Sequence, residues 1–215
     1  MYKRQRSLSP KITSLVDCFD EMEASFAVVT ETWLSDGKGL QEDIEHFEAG
    51  AGLGMLTRNR PANYRGVSHG GVALIYHLNR CSFKEVKLSN PGNFEVLATV
   101  GNFSGYSRKV VVLACYLPLN LKADQAAGAL DFIRGAVVEM KRKFQDPYVV
   151  VSGDFNQWKV DETLEDFPDL SETDVGPTRG NRLIDRSFSN FARSVRECGT
   201  LPPLEADCAE EGAPQ

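Results

Sequence analysis

Tyr148-Val149-Val150-Val151-Ser152-Gly153-Asp154-Phe155-Asn156 is the stretch on which the reading of this 215-residue chain turns. An apolar run follows Pro147 and stops at Ser152-Gly153. A short, β-branched run bounded by Pro and Gly reads as a strand buried on both faces. It delivers a carboxylate and a carboxamide to its own C-terminal edge. Residues i and i+2 of an extended chain share a face. Asp154 and Asn156 are therefore expected to aim into one pocket, with Gly153 allowing close backbone approach. An ionised carboxylate at the end of a buried strand needs compensation from a cation or a donor-rich ligand. Metal-assisted phosphoryl or acyl chemistry would want that arrangement. The plainer reading is that Asp-x-Asn caps a turn.

Working outward, residues 122–145 are expected to form the longest helix, with Leu130, Ile133, Val137, Met140 and Phe144 on one stripe. A first helix is expected after Ser9 as N-cap and Pro10 as first helical residue, carrying Ile12, Leu15, Val16, Phe19 and Met22. Residues 26–30 read as a buried strand ending at Glu31. A loop rich in Gly and charge follows, and Gly70-Gly71 introduces a strand at 72–76. Further strands are expected near 94–100, 109–117 and 183–188. Hairpin-like neighbours at 70–117 suggest antiparallel pairing. The pattern favours sheets packed face to face with helices outside over a doubly wound parallel sheet. No repeat or linker divides the chain, so residues 1–200 read as one domain and 201–215 as an acidic, Pro-containing tail.

Net charge of −6 argues against a broad non-specific grip on nucleic acid. The charge is uneven. Residues 161–174 hold seven acids and no base, and Arg179, Arg182, Arg186, Arg193 and Arg196 follow. A basic surface beside an acidic site suits a phosphate ligand; a solvated loop followed by a solvated helix face would read the same way. There is no run of eighteen apolar residues, so no membrane helix and no membrane partner are expected. The basic N-terminus is not followed by the apolar core of a secretory signal. Cys18, Cys81, Cys115, Cys198 and Cys208 form no metal-binding spacing and read as reduced thiols of an intracellular protein.

Three more polar residues stand at the ends of apolar strands: Glu31 after Phe26–Thr30, Tyr116 after Val110–Cys115, and Asp185 in Asn181–Asp185. Singly, each has a bland role, as a cap, an interface aromatic, or a partner for Arg182 or Arg186. In this order they resemble the endonuclease/exonuclease/phosphatase superfamily, and within it the endonuclease domains of non-LTR retrotransposons. The resemblance covers roughly residues 7–190. It rests on Thr30-Glu31-Thr32-Trp33-Leu34, His69-Gly70-Gly71-Val72-Ala73, Tyr116-Leu117-Pro118, Ser152-Gly153-Asp154-Phe155-Asn156 and Pro177-Thr178-Arg179-Gly180-Asn181-Arg182-Leu183-Ile184-Asp185.

The resemblance implies a four-layer α/β sandwich, Mg²⁺ or Mn²⁺, and hydrolysis of phosphodiesters in DNA through its phosphate backbone. Glu31 would ligate the metal and Asp154 would orient or deprotonate the attacking water. Asn156 and Tyr116 would hydrogen-bond the phosphate, and Asp185 would orient a histidine. Action on genomic DNA would make the protein nuclear. Other branches act on RNA tails, phosphoinositides or sphingolipids, and Thr178–Arg182 argues for the element-encoded branch. The chain departs from the pattern twice. Lys3–Leu8 lacks the family's opening strand and its Asn, and no Asp-His pair occurs where the family closes with Ser-Asp-His. The domain is thus expected to be incomplete at both ends and impaired in catalysis, or else a non-catalytic binding module of the same fold. His46, His69 and His77 are poor substitutes for the missing residue.

Overall fold

A computed structural model of the chain describes residues 12–34, 52–59, 70–89, 93–173, 176 and 183–191. Nine strands and three helices lie within them. The strands are β1 (Phe26–Thr30), β2 (Leu53–Arg58), β3 (Val72–His77), β4 (Cys81–Glu85), β5 (Glu95–Phe103), β6 (Val110–Tyr116), β7 (Tyr148–Asp154), β8 (Ser171–Glu172) and β9 (Asp185–Ser189). The helices are α1 (Ile12–Glu21), α2 (Ala123–Phe144) and α3 (Val160–Leu164).

They build two sheets, ordered β1-β3-β2 and β4-β5-β6-β7-β9-β8. Every pairing is antiparallel except β6 with β7, which are joined by the crossover through α2. Period-2 alternation sorts the side chains into layers. Val72, Leu74 and Tyr76 of β3 meet Leu97, Val112, Ala114 and Val150 of the larger sheet in the core between the sheets. Ala73 and Ile75 turn the other way, onto Phe19 of α1. Val111, Leu113, Val149 and Val151 pack on Ile133, Val137 and Met140 of α2. The result is helix, sheet, sheet, helix: the expected four-layer sandwich. Its central strands are apolar on both faces because both faces are covered.

Four expectations are corrected by the packing. β3 lies in the smaller sheet and is not a hairpin partner of β4 or β5. β1 is only half-buried along its length, since among the described residues it pairs with β3 alone. The last strand begins at Asp185, two residues later than read. Met22 falls beyond α1 and is exposed. Ser9, Pro10 and the tail at 201–215 lie outside the described residues.

The acidic stretch is neutralised locally. Asp166 accepts from Arg134 and Asp169 from Lys141, both on α2, while Glu162 accepts from Lys159. Arg186 on β9 donates from Nε to Glu172 at 2.6 Å and from Nη1 to Asp161 at 2.7 Å. The first of these clamps β8 to β9. Arg182, Arg179, Arg193 and Arg196 lie outside the described residues.

Hydrogen bonding to Arg186 holds the Asp161 carboxyl below its ordinary range, against the opposing effect of burial. A depressed carboxyl contributes stability that is present above its unfolded pKa and lost as pH falls through its folded value. Wild-type stability in urea is therefore expected to drop more steeply below about pH 4 than that of Arg186→Leu, with Asp161 half-exposed and its share small. At pH 7 the same variant should lose about 2 kcal/mol, because Glu172 keeps its charge without its partner. Identical pH profiles for the two proteins would remove this role.

Candidate active site

The site lies at one end of the sandwich, where β1, β6 and β7 finish and β3, β5 and β9 begin. Strand register assembles it. Glu95 on β5 faces Tyr116 on β6, Tyr116 faces Asp154 on β7, and Asp154 faces Asp185 on β9. Residues paired in register project to the same face, so the four form one polar row across the sheet, above the apolar inter-sheet core. Asp154 is 8% exposed and Glu95 only 3%, while Asp185 is open to solvent.

Glu31 reaches this row from the other sheet. The Tyr116 hydroxyl donates to Glu31 Oε1 at 3.0 Å, joining residues 85 apart in sequence. Glu31 holds a left-handed backbone (φ 53°), and so does Trp33. That conformation is uncommon for a residue with a side chain and persists only where its surroundings impose it. Here the Gly70-Gly71 turn imposes it. Trp33 N–H donates to Gly70 O at 2.9 Å, and Thr32 N–H to Gly71 O at 3.4 Å. Gly70 is itself left-handed (φ 88°), and a Cβ on it would lie 2.9 Å from the Tyr116 ring and 3.5 Å from Glu95 Oε2. The turn thus wedges the Glu31 loop against the Tyr116–Glu95 pair.

Asp154 and Asn156 are brought together for a different reason from the one read in the sequence. The chain does not stay extended: Asn156 is left-handed (φ 51°), and its backbone N–H donates to Asp154 Oδ1 at 2.8 Å. This is an Asx turn, the plainer of the two sequence readings. One proton of the Asn156 amide goes to Leu117 O at 2.8 Å, tying the loop after β7 to the loop after β6. Two ladder bonds extend past the strands, Leu117 N–H to Asp154 O (3.0 Å) and Phe155 N–H to Ile184 O (2.8 Å). The turn therefore fixes Asp154 without removing it from the polar row.

Glu95 was not singled out in the sequence. Its signal was there: a lone carboxylate heading Val96-Leu97-Ala98-Thr99-Val100, as costly to bury as Asp154. It went unread because it opens a strand instead of closing one.

His77 cannot serve the site. It pairs with Leu53 at the far end of β3 from Val72, about 17 Å along the strand, and its ring packs on Phe19. His46 and His69 lie outside the described residues. Asp185 accordingly faces Asp154 and, among the described residues, no histidine at that end. Neither Cys81 nor Cys115 offers a reactive thiolate. Burial pushes the Cys81 thiol up to about 11 and raises that of Cys115 further. Cys18, Cys81 and Cys115 are free thiols, and Cys198 and Cys208 lie outside the described residues.

The fold is that of the endonuclease/exonuclease/phosphatase proteins. The human Nocturnin catalytic domain, solved with a bound sulfate anion, matches with a TM-score of 0.65 at 11% identity, over 85% of this chain and 74% of that one. An endonuclease/exonuclease/phosphatase from Bacteroides vulgatus matches at 0.62 and 10%, over 85% of this chain and 79% of its own. ANGEL2, a 2′,3′-cyclic phosphatase solved with adenosine-2′,3′-vanadate, matches at 0.59 and 11%, over 87% and 76%. At these identities the likeness is one of fold. The sequence matches no protein-family model and no curated protein.

Proposed function

We propose that this chain is a divalent-metal-dependent phosphodiester hydrolase of the kind that nicks DNA in non-LTR retrotransposons. The observation that carries the reading is the Tyr116–Glu31 hydrogen bond, which sets a carboxylate from one sheet over the Tyr116–Asp154 row of the other. The solved structures that share the fold include one with a bound sulfate and one described as a cyclic phosphatase. Both descriptions concern phosphate-like ligands, and both support a phosphate ester here.

Mg²⁺ or Mn²⁺ fits the donor set. Glu31 and its neighbours offer hard oxygens, and no group of three His, Cys, Asp or Glu able to hold a metal occurs among the described residues. Mg²⁺ keeps several waters and leans on substrate phosphate, so it is commonly held by one or two protein carboxylates. Glu31 would hold it, and bound there it would supply Lewis-acid stabilisation of charge on the phosphoryl oxygens.

The chain's own residues do the rest. Asp154, its carboxylate fixed by the Asx turn, would orient or deprotonate the attacking water. Tyr116 has a single proton to give, so its bond to Glu31 and a bond to a non-bridging phosphate oxygen are alternatives. Asn156 has one amide proton left after Leu117 and offers it to the same phosphate. Asp185 would orient a histidine, and the 215 residues contain no Asp-His pair. General acid–base help of that kind is worth about 10²–10⁴-fold in rate. A second reading is a binding module that retains the site's shape.

One experiment weighs both. The chain and Asp154→Ala are incubated with supercoiled plasmid and Mg²⁺ or Mn²⁺, with melting curves to confirm folding. Slow nicking by the chain, abolished by EDTA and by the substitution, is the expected result. Equal nicking by the variant would sink the catalytic reading. No nicking by either, with metal and DNA still bound, would leave the binding module. Action on genomic DNA would place the protein in the nucleus.

A further inference from the structure

The smaller sheet stops short of the larger one. Among the described residues β1 is its last strand and packs over β6 and β7, whereas the larger sheet runs on past β7 through β9 and β8. With neighbouring strands about 4.8 Å apart, a ledge about 10 Å wide lies beside β1.

Both sides of this ledge are unfinished. His77 N–H donates to Ser25 O at 3.0 Å, and the bonds of an antiparallel ladder recur at every second residue. Ala27 and Val29 therefore bond to β3, while Phe26, Val28 and Thr30 turn their backbone N–H and C=O groups to the open edge. Below that edge, Ser187 and Ser189 of β9 face Ser152 and Val150 of β7. Ser189 is 4% exposed, and its hydroxyl has no hydrogen-bond partner among the described residues. Buried hydroxyls are rarely left so, and this one calls for a partner. A cavity of about 240 Å³ lies between edge and floor, lined by the three serines and walled by Phe26, Val28 and Phe191.

The surroundings select the occupant. The cavity is smaller than the usual small-molecule pocket, and a row of outward backbone groups is a template for a further strand. Its described lining carries no charge, which excludes a nucleic-acid backbone. A second folded copy joined β1 to β1 is excluded as well, because each copy's ledge would run into the larger sheet of the other. The chain's own flanking segments match the slot poorly. As an extended strand, residues 3–8 would put Lys3 on one side and Arg4 and Arg6 on the other, and Arg193 and Arg196 would divide likewise after Phe191.

We propose that the open edge of β1 and the serine floor of β7 and β9 form a docking slot for one extended strand of another polypeptide. Its backbone bonds to Phe26, Val28 and Thr30. Its slot-facing side chains are uncharged, with a hydroxyl or carboxamide over Ser189 and an apolar group against Phe26 and Phe191. The slot does not depend on the phosphodiesterase reading, and nicking assays leave it untouched.

The test uses the full chain in EDTA and a fluorescein-labelled peptide of alternating Thr and Val, capped with Lys for solubility, beside the same peptide N-methylated at every residue. Anisotropy reads binding, and amide hydrogen exchange reads the edge. In the free chain Val28 and Thr30 should exchange faster than Ala27 and Val29, and the plain peptide should slow them. N-methylation should weaken binding about tenfold or more. Val28→Pro removes an outward N–H and spares the β3 ladder, so it should weaken binding as much. Ser189→Ala should weaken it severalfold. No binding, equal binding of the two peptides, or unchanged affinity in a folded Val28→Pro and in Ser189→Ala would overturn the slot. Slow exchange at Val28 and Thr30 without peptide would overturn it too: independent of protein concentration, it would identify the chain's own residues as the occupant, and dependent on it, a second copy. Should Val28→Pro fail to fold, the N-methylated peptide and the exchange rates decide.

Discussion

Gly153→Ala is expected to cost the chain its native fold at ordinary temperatures. Gly153 lies in β7, between β6 and β9 in the middle of the larger sheet. Its φ of 150° is one that residues with a side chain rarely adopt, and an added Cβ would stand 1.8 Å from the carbonyl oxygen of Cys115. The obstacle is backbone, bonded into the ladder on both sides, and cannot swing away as a side chain would. Relief means moving β7 off β6, which would break the register that sets Tyr116 beside Asp154. Backbone strain alone is about 1–3 kcal/mol, and displacing a central strand adds several more. A domain of this size has about 5–15 kcal/mol in all. Circular dichroism melting should show a large loss of Tm or no cooperative transition. Ser152→Ala, one residue earlier, should melt close to wild type. A Gly153→Ala protein melting within about two degrees of wild type would mean that this backbone has another conformation open to it.

Glu31→Gln is expected to separate the site's chemistry from its architecture. The amide oxygen of Gln can still accept from the Tyr116 hydroxyl, so the bond between the sheets and the melting temperature should survive. The negative charge is lost. Mn²⁺ affinity, read by the EPR signal of the free ion, should fall about tenfold or more, and any metal-dependent nicking about 10²–10³-fold. Unchanged Mn²⁺ binding in a folded variant would show that the cation sits elsewhere, with Glu95 and Asp154 the next carboxylates to test.

The most legible strands are those buried on both faces: β6, β7 and β3 announce themselves as unbroken apolar runs, and β1 was read from its apolar run as well, although it is only half-buried. α2 showed through its 3.6-residue spacing, with Ile133, Val137 and Met140 buried as read. β2 was hidden by Gly54, which looks like a loop residue but is small because the Tyr76 ring occupies the space of its Cβ. β4 alternates buried and exposed residues over only five positions, and β8 has two residues, too short for periodicity to register. α3, at five residues, is shorter than a detectable period.

By itself the sequence marked Glu31, Tyr116 and Asp154 as polar groups where an apolar strand ends, because burial cost confines them there; Asp185, read as closing a strand, opens β9 instead. The Asp154–Asn156 turn, a contact two residues long, was the plainer of the two readings that the sequence left open. Only the tertiary structure decided that Glu31 meets Tyr116 across the two sheets, and that Glu95 and Asp185 complete one row with Tyr116 and Asp154. The reason is physical. Strand ends are marked by local composition, whereas register and sheet packing are settled by side chains far apart in the chain, where a slip of one residue would turn the whole row to the other face.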